Sequence, residues 1–306
     1  MSGSPILSSK LTSDNYKSNF YAGFIDKIIL NAKSLNQDKY VFLDHFKSMG
    51  LIVEDGCFRG GGARLEVTLP NKDKAYLRYN YHSKQIMSFI LNPSMYRDYN
   101  DFQNSLLSYL GYVPTIEGLP ITRIDKTVEI TLSLDEVLRG VDVKNKRSTK
   151  IYEFRSGIFD GLEVGKKPEV LKLYNKTKKA KLNFPVTRIE AYCIRNKIDL
   201  KTLTEMKKSF HIGSHYRDKT FDNICLSNLE FNKPLNKMQS DKVEELRILC
   251  NHLPFTIAKS LKNRNRNFDR DFGNLHRLEP WKIQPNVIFN KGVRNFFNPD
   301  DYEEEV

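Results

Sequence analysis

The chain has 306 residues, of which 40% are hydrophobic and 28% charged, a composition typical of a globular protein with one large core or two smaller ones. No stretch approaches the roughly 20 apolar residues of a membrane span, and the four cysteines are too scattered for a zinc ribbon or a dense disulfide framework. Lysine and arginine exceed aspartate and glutamate by 12, which favours a polyanionic partner such as nucleic acid.

The N-terminal part is predicted to hold a tail and then three neighbouring strands between two helices. Residues 1–20 are polar and lack the apolar segment of a secretory signal, so we expect a disordered tail and a cytoplasmic protein with no membrane association. Apolar spacing predicts helices over 42–49 and 99–110, each followed by a glycine. Strands are predicted over 63–69, 75–81 and 85–91, with a turn at 70–73.

The remaining chain is predicted to add strands and then to become helical. A long strand is expected over 121–132, and a short helix over 133–138 with Ser133 as N-cap and Glu136 completing a capping box. Further strands are expected over 149–154, 170–176 and 186–194, followed by helices over 200–208, 241–250 and 254–262. This order predicts an α+β fold: an antiparallel sheet with flanking helices and a helical C-terminal part.

No internal repeat is evident in the sequence. We expect one main domain over residues 21–235 and a helical, basic C-terminal region over 236–306. The helices predicted between residues 241 and 262 either pack against the domain or form a helix-turn-helix. The basic stretch over 262–270 is either a solvated face or a DNA contact.

Three predicted strands each carry polar residues on one face, because residues two apart in a strand share a face. These residues are Arg123, Asp125, Thr127 and Glu129 on one strand, Lys172, Tyr174 and Lys176 on another, and Arg188, Glu190 and Tyr192 on the third. A solvated sheet face of mixed charge would account for them without any chemistry. The same residue types also suit cleavage of a phosphodiester. Carboxylates bind Mg²⁺ or Mn²⁺, and a tyrosine near a cation can attack phosphorus to form a covalent phosphotyrosine.

These segments resemble the Rep_trans family of plasmid rolling-circle replication initiators, over residues 75–195. The resemblance rests on a strand that ends in Asn92-Pro93 and on the segments Thr122–Asp125, Leu171–Lys176 and Thr187–Glu190. The most specific element is the run Leu-Lys-Leu-Tyr-Asn-Lys, which looks like the family's nucleophile segment. Two positions depart from the family pattern, because Ile90 and Tyr192 stand where relatives often carry acids.

The resemblance implies a metal-dependent enzyme that nicks one DNA strand at an extruded origin hairpin and stays joined to the 5′ phosphate. It makes Tyr174 the nucleophile. It makes Asp125 and Glu190, with Glu129, the ligands of Mg²⁺ or Mn²⁺. From their positions on the same strand faces, we expect Arg188, Lys172 and Lys176 to neutralise phosphate charge or to assist the nucleophile. The predicted DNA contacts are Lys172, Lys178, Lys179, Lys262, Arg264 and Arg266. Family members act as dimers and recruit a host helicase, so both are expected partners here besides DNA.

Other readings stay open at this point. The two missing acids favour a catalytically silent DNA-binding regulator of replication or transcription on the same fold. The net charge does not exclude an RNA-binding module, but the sequence shows no RNP-like aromatic pair. No two of the six histidines are separated by one residue, which argues against nicking enzymes that hold their metal with a His-hydrophobe-His triplet. Gly60-Gly61-Gly62 lacks the Gly-Lys-Ser/Thr ending of a P-loop and is expected to be a turn.

Overall fold

A computed structural model shows a mixed α+β fold built on a large antiparallel sheet with a few helices, which confirms the predicted fold class. The structure describes residues 21–57, 62–70, 72–110, 118–143, 149–153, 159–166, 169–193, 198–199, 220–252, 255, 272, 274–282 and 284–299. Within these ranges no helix is long and apolar enough to cross a membrane.

The described elements comprise strands, α-helices and two short 3-10 helices. The strands are β1 (Tyr21–Asn31), β2 (Ile52–Cys57), β3 (Ala63–Thr68), β4 (Lys74–Tyr79), β5 (Ile86–Leu91), β6 (Pro120–Ile130), β7 (Val141–Val143), β8 (Thr149–Glu153), β9 (Phe159–Lys166), β10 (Glu169–Asn175), β11 (Thr187–Cys193), β12 (Ile198–Asp199), β13 (Ile224–Phe231) and β14 (His276–Pro280). The helices are α1 (Lys39–Ser48), α2 (Tyr99–Leu110), α3 (Leu134–Gly140), α4 (Lys176–Ala180), α5 (Lys237–His252) and α6 (Pro285–Phe297), with 3-10 turns at Lys33–Leu35 and Pro93–Met95.

The main sheet has the strand order β2-β3-β4-β5-β1-β6-β11-β10-β9-β8, with β12 also paired to β6. Its two halves follow the same path. In each half a central strand is followed by a helix and then by a four-stranded meander, whose last strand returns to the central one. The central strands β1 and β6 pair with each other, Gly23 lying opposite Val128. The chain therefore contains a structural repeat, which the sequence analysis missed because the two halves share topology without evident similarity in sequence.

One face of this sheet is apolar and covered by helices. Val128 of β6, Leu173 of β10 and Ile189 of β11 are buried in one core with residues of α1, α3 and α6. Helix α6 lies directly on β1, and a Cβ atom on Gly23 would clash with the carbonyl oxygen of Ile288. Burial of this face leaves the opposite face of the sheet to carry the polar residues.

The C-terminal part is not purely helical. Strand β13 pairs with β7 and with β14, and this three-stranded sheet packs against α5 around Val243, Leu246 and Cys250. Helix α6 instead joins the main core through Ile288 and Phe289. Elements from both sides of residue 235 thus share one core, and the predicted helix over 241–250 lies within α5.

Most predicted elements are confirmed within a few residues, including the capping box of α3. There the Ser133 backbone N–H donates to Glu136 Oε2 at 2.9 Å, and the Glu136 N–H donates to Ser133 Oγ at 3.3 Å. The central strand β1 was not predicted, because a register shift between Ile25 and Lys27 interrupts its alternation. The predicted helices over 200–208 and 254–262 lie outside the described residues, apart from position 255.

A buried lysine links α1 to strands β2 and β4. The side chain of Lys39 is 5% exposed, and its Nζ lies 2.5 Å from Asp55 Oδ2 and 3.2 Å from the Tyr79 hydroxyl. That hydroxyl donates to Asp55 Oδ1 at 2.6 Å. Burial alone raises the pKa of Asp55, but the hydrogen bonds from Lys39 and Tyr79 outweigh it and lower that pKa.

We expect Asp55→Asn to destabilise the fold, because the Lys39 ammonium stays buried without its counter-charge. The loss in unfolding free energy should be about 1–2 kcal/mol, less than for a fully buried pair since Asp55 is 44% exposed. The stability from Asp55 is present above its unfolded pKa and is lost as the pH falls through the lower folded pKa. Urea unfolding is measured from neutral pH to about pH 2, and the difference in unfolding free energy between the unsubstituted protein and Asp55→Asn should disappear in acid. Asp44→Asn, on the exposed side of α1, is the control. A difference in unfolding free energy that does not change with pH would contradict this account.

Candidate functional site

The three polar strand faces predicted from the sequence converge on one surface. Strands β6, β11 and β10 are neighbours, and their registers place Glu129 opposite Arg188 and Arg188 opposite Tyr174. In the adjacent row Glu190 lies between Thr127 and Lys172. We call this surface the polar face; its residues are Lys27, Arg123, Asp125, Thr127, Glu129, Glu163, Lys172, Tyr174, Arg188, Glu190 and Tyr192.

Tyr174 is hydrogen-bonded to a carboxylate across the strand pair. Its hydroxyl donates to Glu190 Oε2 at 2.9 Å. Burial raises the pKa of Tyr174 strongly, Arg188 opposes this shift, and Glu190 adds to it. The tyrosine is therefore protonated at neutral pH, and Glu190 is placed to accept the proton when it leaves.

A glycine on β9 gives Tyr174 its space. Gly161 lies opposite Tyr174, and a Cβ atom there would come within 2.6 Å of the Leu173 carbonyl oxygen and 3.1 Å of Tyr174 Cβ. Any larger residue would displace β10 or the tyrosine itself.

Arg188 is buried beside the tyrosine and held by two carboxylates. Its side chain is 5% exposed, with Nε 2.7 Å from Glu129 Oε1, Nη2 bonded to the same oxygen and Nη1 3.5 Å from Asp26 Oδ1. Burial alone lowers the pKa of Arg188, but Glu129 and Asp26 outweigh it and raise that pKa, so the guanidinium stays charged. Little of this side chain is available to a ligand arriving from solvent, whereas it lies directly beside Tyr174.

A second arginine–carboxylate pair lies in the same surface. The buried Asp125 carboxylate receives hydrogen bonds from Arg123 at 2.5 and 2.7 Å, and Lys27 Nζ lies 3.8 Å away. Burial raises the pKa of Asp125, although Arg123 opposes the shift. The Arg123 guanidinium also stacks on the Tyr192 ring at 4.5 Å, and Lys172 Nζ lies 5.1 Å from that ring. Tyr192 thus positions two cations.

The donor atoms of the polar face are of the kind that a hard divalent cation prefers, but two of the carboxylates are paired with arginines. Thr127 Oγ1 is buried with no hydrogen-bond partner, between Asp125 and Glu129 on β6 and opposite Glu190. All these donors are oxygens, as Mg²⁺ and Mn²⁺ prefer. Asp125 and Glu129 are each paired with an arginine, and no three acids, histidines or cysteines of the described residues are grouped to bind a metal. The metal site therefore stays a prediction, with Glu190 and Thr127 as the donors that no ion pair engages in the described part of the chain.

We expect Thr127→Val to leave stability unchanged or slightly higher and to lower any reaction at Tyr174. The substitution keeps the branched shape and removes a buried, unpaired hydroxyl whose desolvation costs about 1–3 kcal/mol. If the hydroxyl serves the DNA nicking that the resemblance implies, the nicking rate should fall about ten-fold in Thr127→Val, and Thr127→Ser should keep the normal rate. Nicking rates and urea unfolding of both variants are the measurements. A normal nicking rate in Thr127→Val would show that the Thr127 hydroxyl has no part in the reaction.

Of the remaining residues predicted to act in catalysis or DNA binding, the structure describes the side chains of Lys172 and Lys176. Lys172 lies on the polar face, half-exposed, with its Nζ 3.5 Å from Glu163. Lys176 was predicted to lie on the same strand face, but β10 ends at Asn175 and Lys176 is the first residue of α4. Its N–H donates to the Val186 carbonyl oxygen at 2.9 Å. The side chains of Lys178 and Lys179, and all of Lys262, Arg264 and Arg266, lie outside what the structure describes.

Strand β1 contributes site residues that the sequence analysis missed. Asp26 reaches Arg188 and Lys27 reaches Asp125, both from the position where the register of β1 shifts. The only signal in the sequence was a pair of opposite charges inside an apolar stretch. That pattern gains meaning only once β1 is known to lie beside β6.

Comparisons with known proteins show a similarity to a solved structure. No protein-family model matches the chain, and no curated protein matches it. The chain is similar to the structure of a rolling circle replication initiator protein from Geobacillus stearothermophilus, with a TM-score of 0.36 and 12% sequence identity. The similarity covers 71% of this chain and 89% of that chain.

Proposed function

We propose that this protein initiates rolling-circle DNA replication by nicking one strand through attack of Tyr174 on a phosphodiester. The observation that carries the proposal is the hydrogen bond from the Tyr174 hydroxyl to Glu190 at 2.9 Å, beside the fixed charge of Arg188. A tyrosine, a proton acceptor and a buried cation on one sheet face are the parts that such a reaction needs. The resemblance of the strand segments to Rep_trans initiators supports the same assignment.

In the proposed reaction Glu190 accepts the proton of Tyr174 as the phenolic oxygen bonds to phosphorus. The bond between phosphorus and the 3′ oxygen breaks, and the departing 3′ oxygen takes up a proton from solvent. The product is a 5′-phosphotyrosine and a free 3′ hydroxyl, which can prime synthesis. Religation is the reverse of these steps, because the phosphotyrosine retains the energy of the broken bond.

The cations of the polar face have distinct parts in this proposal. Arg188 stabilises the developing negative charge on the Tyr174 oxygen, because its guanidinium is held in place before the reaction begins. Arg123 and Lys172 are 35% and 36% exposed, so they can meet the phosphoryl oxygens of an incoming strand.

A Mg²⁺ or Mn²⁺ ion remains part of the proposal, and Glu190 and Thr127, together with Asp125 or Glu129, would hold it. When bound, such an ion would neutralise charge on the phosphoryl oxygens and favour the phenolate. We expect chelation with EDTA to stop nicking and added Mn²⁺ to restore it. Undiminished nicking in EDTA would contradict the metal requirement and leave Arg123 and Lys172 as the counter-charges.

The test of the proposed function is a search for the covalent intermediate. The protein is incubated with supercoiled or single-stranded DNA from its own replicon and Mn²⁺, and the products are separated under denaturing conditions. We expect a protein–DNA adduct that mass spectrometry places on Tyr174.

The second candidate is a catalytically silent DNA-binding regulator. It is favoured by Ile90 and Tyr192, which replace acids, and by the arginines that pair with Asp125 and Glu129. Tight binding without an adduct under any metal condition would establish it in place of the nickase. Dimerisation and recruitment of a host helicase stay predictions of the resemblance.

A further inference from the structure

A cavity of about 490 Å³ lies between α3, β13, α5 and the residue that follows β14. Helix α3 packs on the apolar face of the sheet, in the same core as Leu171 and Leu173. The cavity is therefore on the side opposite Tyr174 and does not belong to the polar face. Its volume is within the range of about 300–1,000 Å³ that small-molecule sites occupy.

Two arginines and two aromatic rings line this cavity. Arg139 comes from the last turn of α3, and Arg247 from α5 stacks over the Phe231 ring at 5.1 Å. Trp281 is also part of the wall, and its Nε1–H donates to Asn228 Oδ1 at 2.9 Å, which fixes the plane of the indole. The site thus offers flat aromatic surfaces next to guanidinium groups.

The negative charge in the described lining is already engaged. Glu136 is bound to the N-terminus of α3 by the backbone N–H and hydroxyl of Ser133, and these hydrogen bonds lower its pKa. Burial raises the pKa of Cys250 to about 11, so this thiol is neutral. Glu244, which does not line the cavity, lies 3.6 Å from Arg247 in an exposed pair that a ligand can displace.

We infer that this cavity binds a nucleoside phosphate, with the base against Trp281 and the phosphate on Arg139 and on Arg247, whose guanidinium the Phe231 ring holds in place. Base–aromatic stacking and forked arginine–phosphate hydrogen bonds are how proteins recognise the two parts of a nucleotide. The nucleotide is either one residue of a bound DNA strand or a free mononucleotide. Binding of a DNA-strand residue rests on the proposed function, whereas binding of a free mononucleotide does not. The cavity would recognise the base and the phosphate in the same way in either case.

The inference can be tested directly because Trp281 is the only tryptophan of the chain. The full-length protein is titrated with deoxynucleoside monophosphates, with short single-stranded oligonucleotides and with inorganic phosphate, while its intrinsic fluorescence is recorded. We expect saturable quenching by nucleotides. Arg247→Gln and Arg139→Gln should each weaken binding about ten-fold, and Arg277→Gln, on β14 outside the cavity, should not. Circular dichroism verifies that each variant is folded.

The titrations distinguish a free mononucleotide from a residue of a bound DNA strand. Quenching by mononucleotides alone identifies a free nucleotide, and quenching by oligonucleotides alone identifies a residue of the strand. No quenching, equal quenching by inorganic phosphate, or quenching that survives both arginine substitutions would overturn the inference. Tyr174→Phe leaves this signal unchanged, so a failure here and a failure to form the covalent adduct are distinct results.

Discussion

Tyr174→Phe is expected to abolish DNA nicking while leaving DNA binding unchanged. The substitution removes only the hydroxyl that donates to Glu190, and the ring still fills the space opposite Gly161. Loss of a nucleophile lowers such reactions by about a thousand-fold or more. Gel assays of nicked DNA give the rate, and a filter-binding assay on the same DNA gives the affinity.

Tyr76 supplies a matched control for this experiment. It lies on β4 of the other half of the sheet, on the same side as Tyr174, opposite Ile90 of β5 and Glu66 of β3. Strand β4 has the place in its half that β10 has in the other. We expect Tyr76→Phe to nick DNA at the normal rate. Residual nicking by Tyr174→Phe would refute the assignment of the nucleophile.

Glu129→Gln is expected to cost stability as well as activity. Glu129 and Arg188 are both almost fully buried, and among the described carboxylates the substitution leaves Asp26, at 3.5 Å, to pair with the guanidinium. Breaking a buried ion pair from one side destabilises proteins by about 3–5 kcal/mol. Nicking should also fall by about 100-fold at a temperature where the variant is folded, because Arg188 is no longer fixed beside Tyr174. Urea unfolding and the nicking assay measure the two effects.

Two further variants separate stability from chemistry. Replacing both Glu129 and Arg188 by methionine should recover part of the lost stability, because neither charge then stays buried alone, while nicking stays low. Glu230→Gln, in the exposed pair with Arg277, should change neither property measurably. Normal stability of Glu129→Gln would mean that the buried pair does not support the fold.

Much of the candidate site was predictable because strand periodicity is a local property. Residues two apart share a face, so the run Leu-Lys-Leu-Tyr-Asn-Lys already separates Lys172 and Tyr174 from Leu171 and Leu173. The capping box at Ser133 is likewise a short-range pattern, and the structure confirms it. The end of β10 was wrong by one residue, because the turn into α4 depends on Thr177, whose hydroxyl accepts from the Val186 N–H at 2.6 Å.

The sequence by itself determined the strand faces, the α+β class and the residue types available for chemistry. Only the tertiary structure decided that β6, β11 and β10 are neighbours, that Glu190 rather than another acid meets Tyr174, and that Arg188 is buried between Glu129 and Asp26. The physical reason is that strand order and register join residues far apart in the chain. Arg188 and Glu129 are 59 positions apart, and no local pattern encodes their pairing.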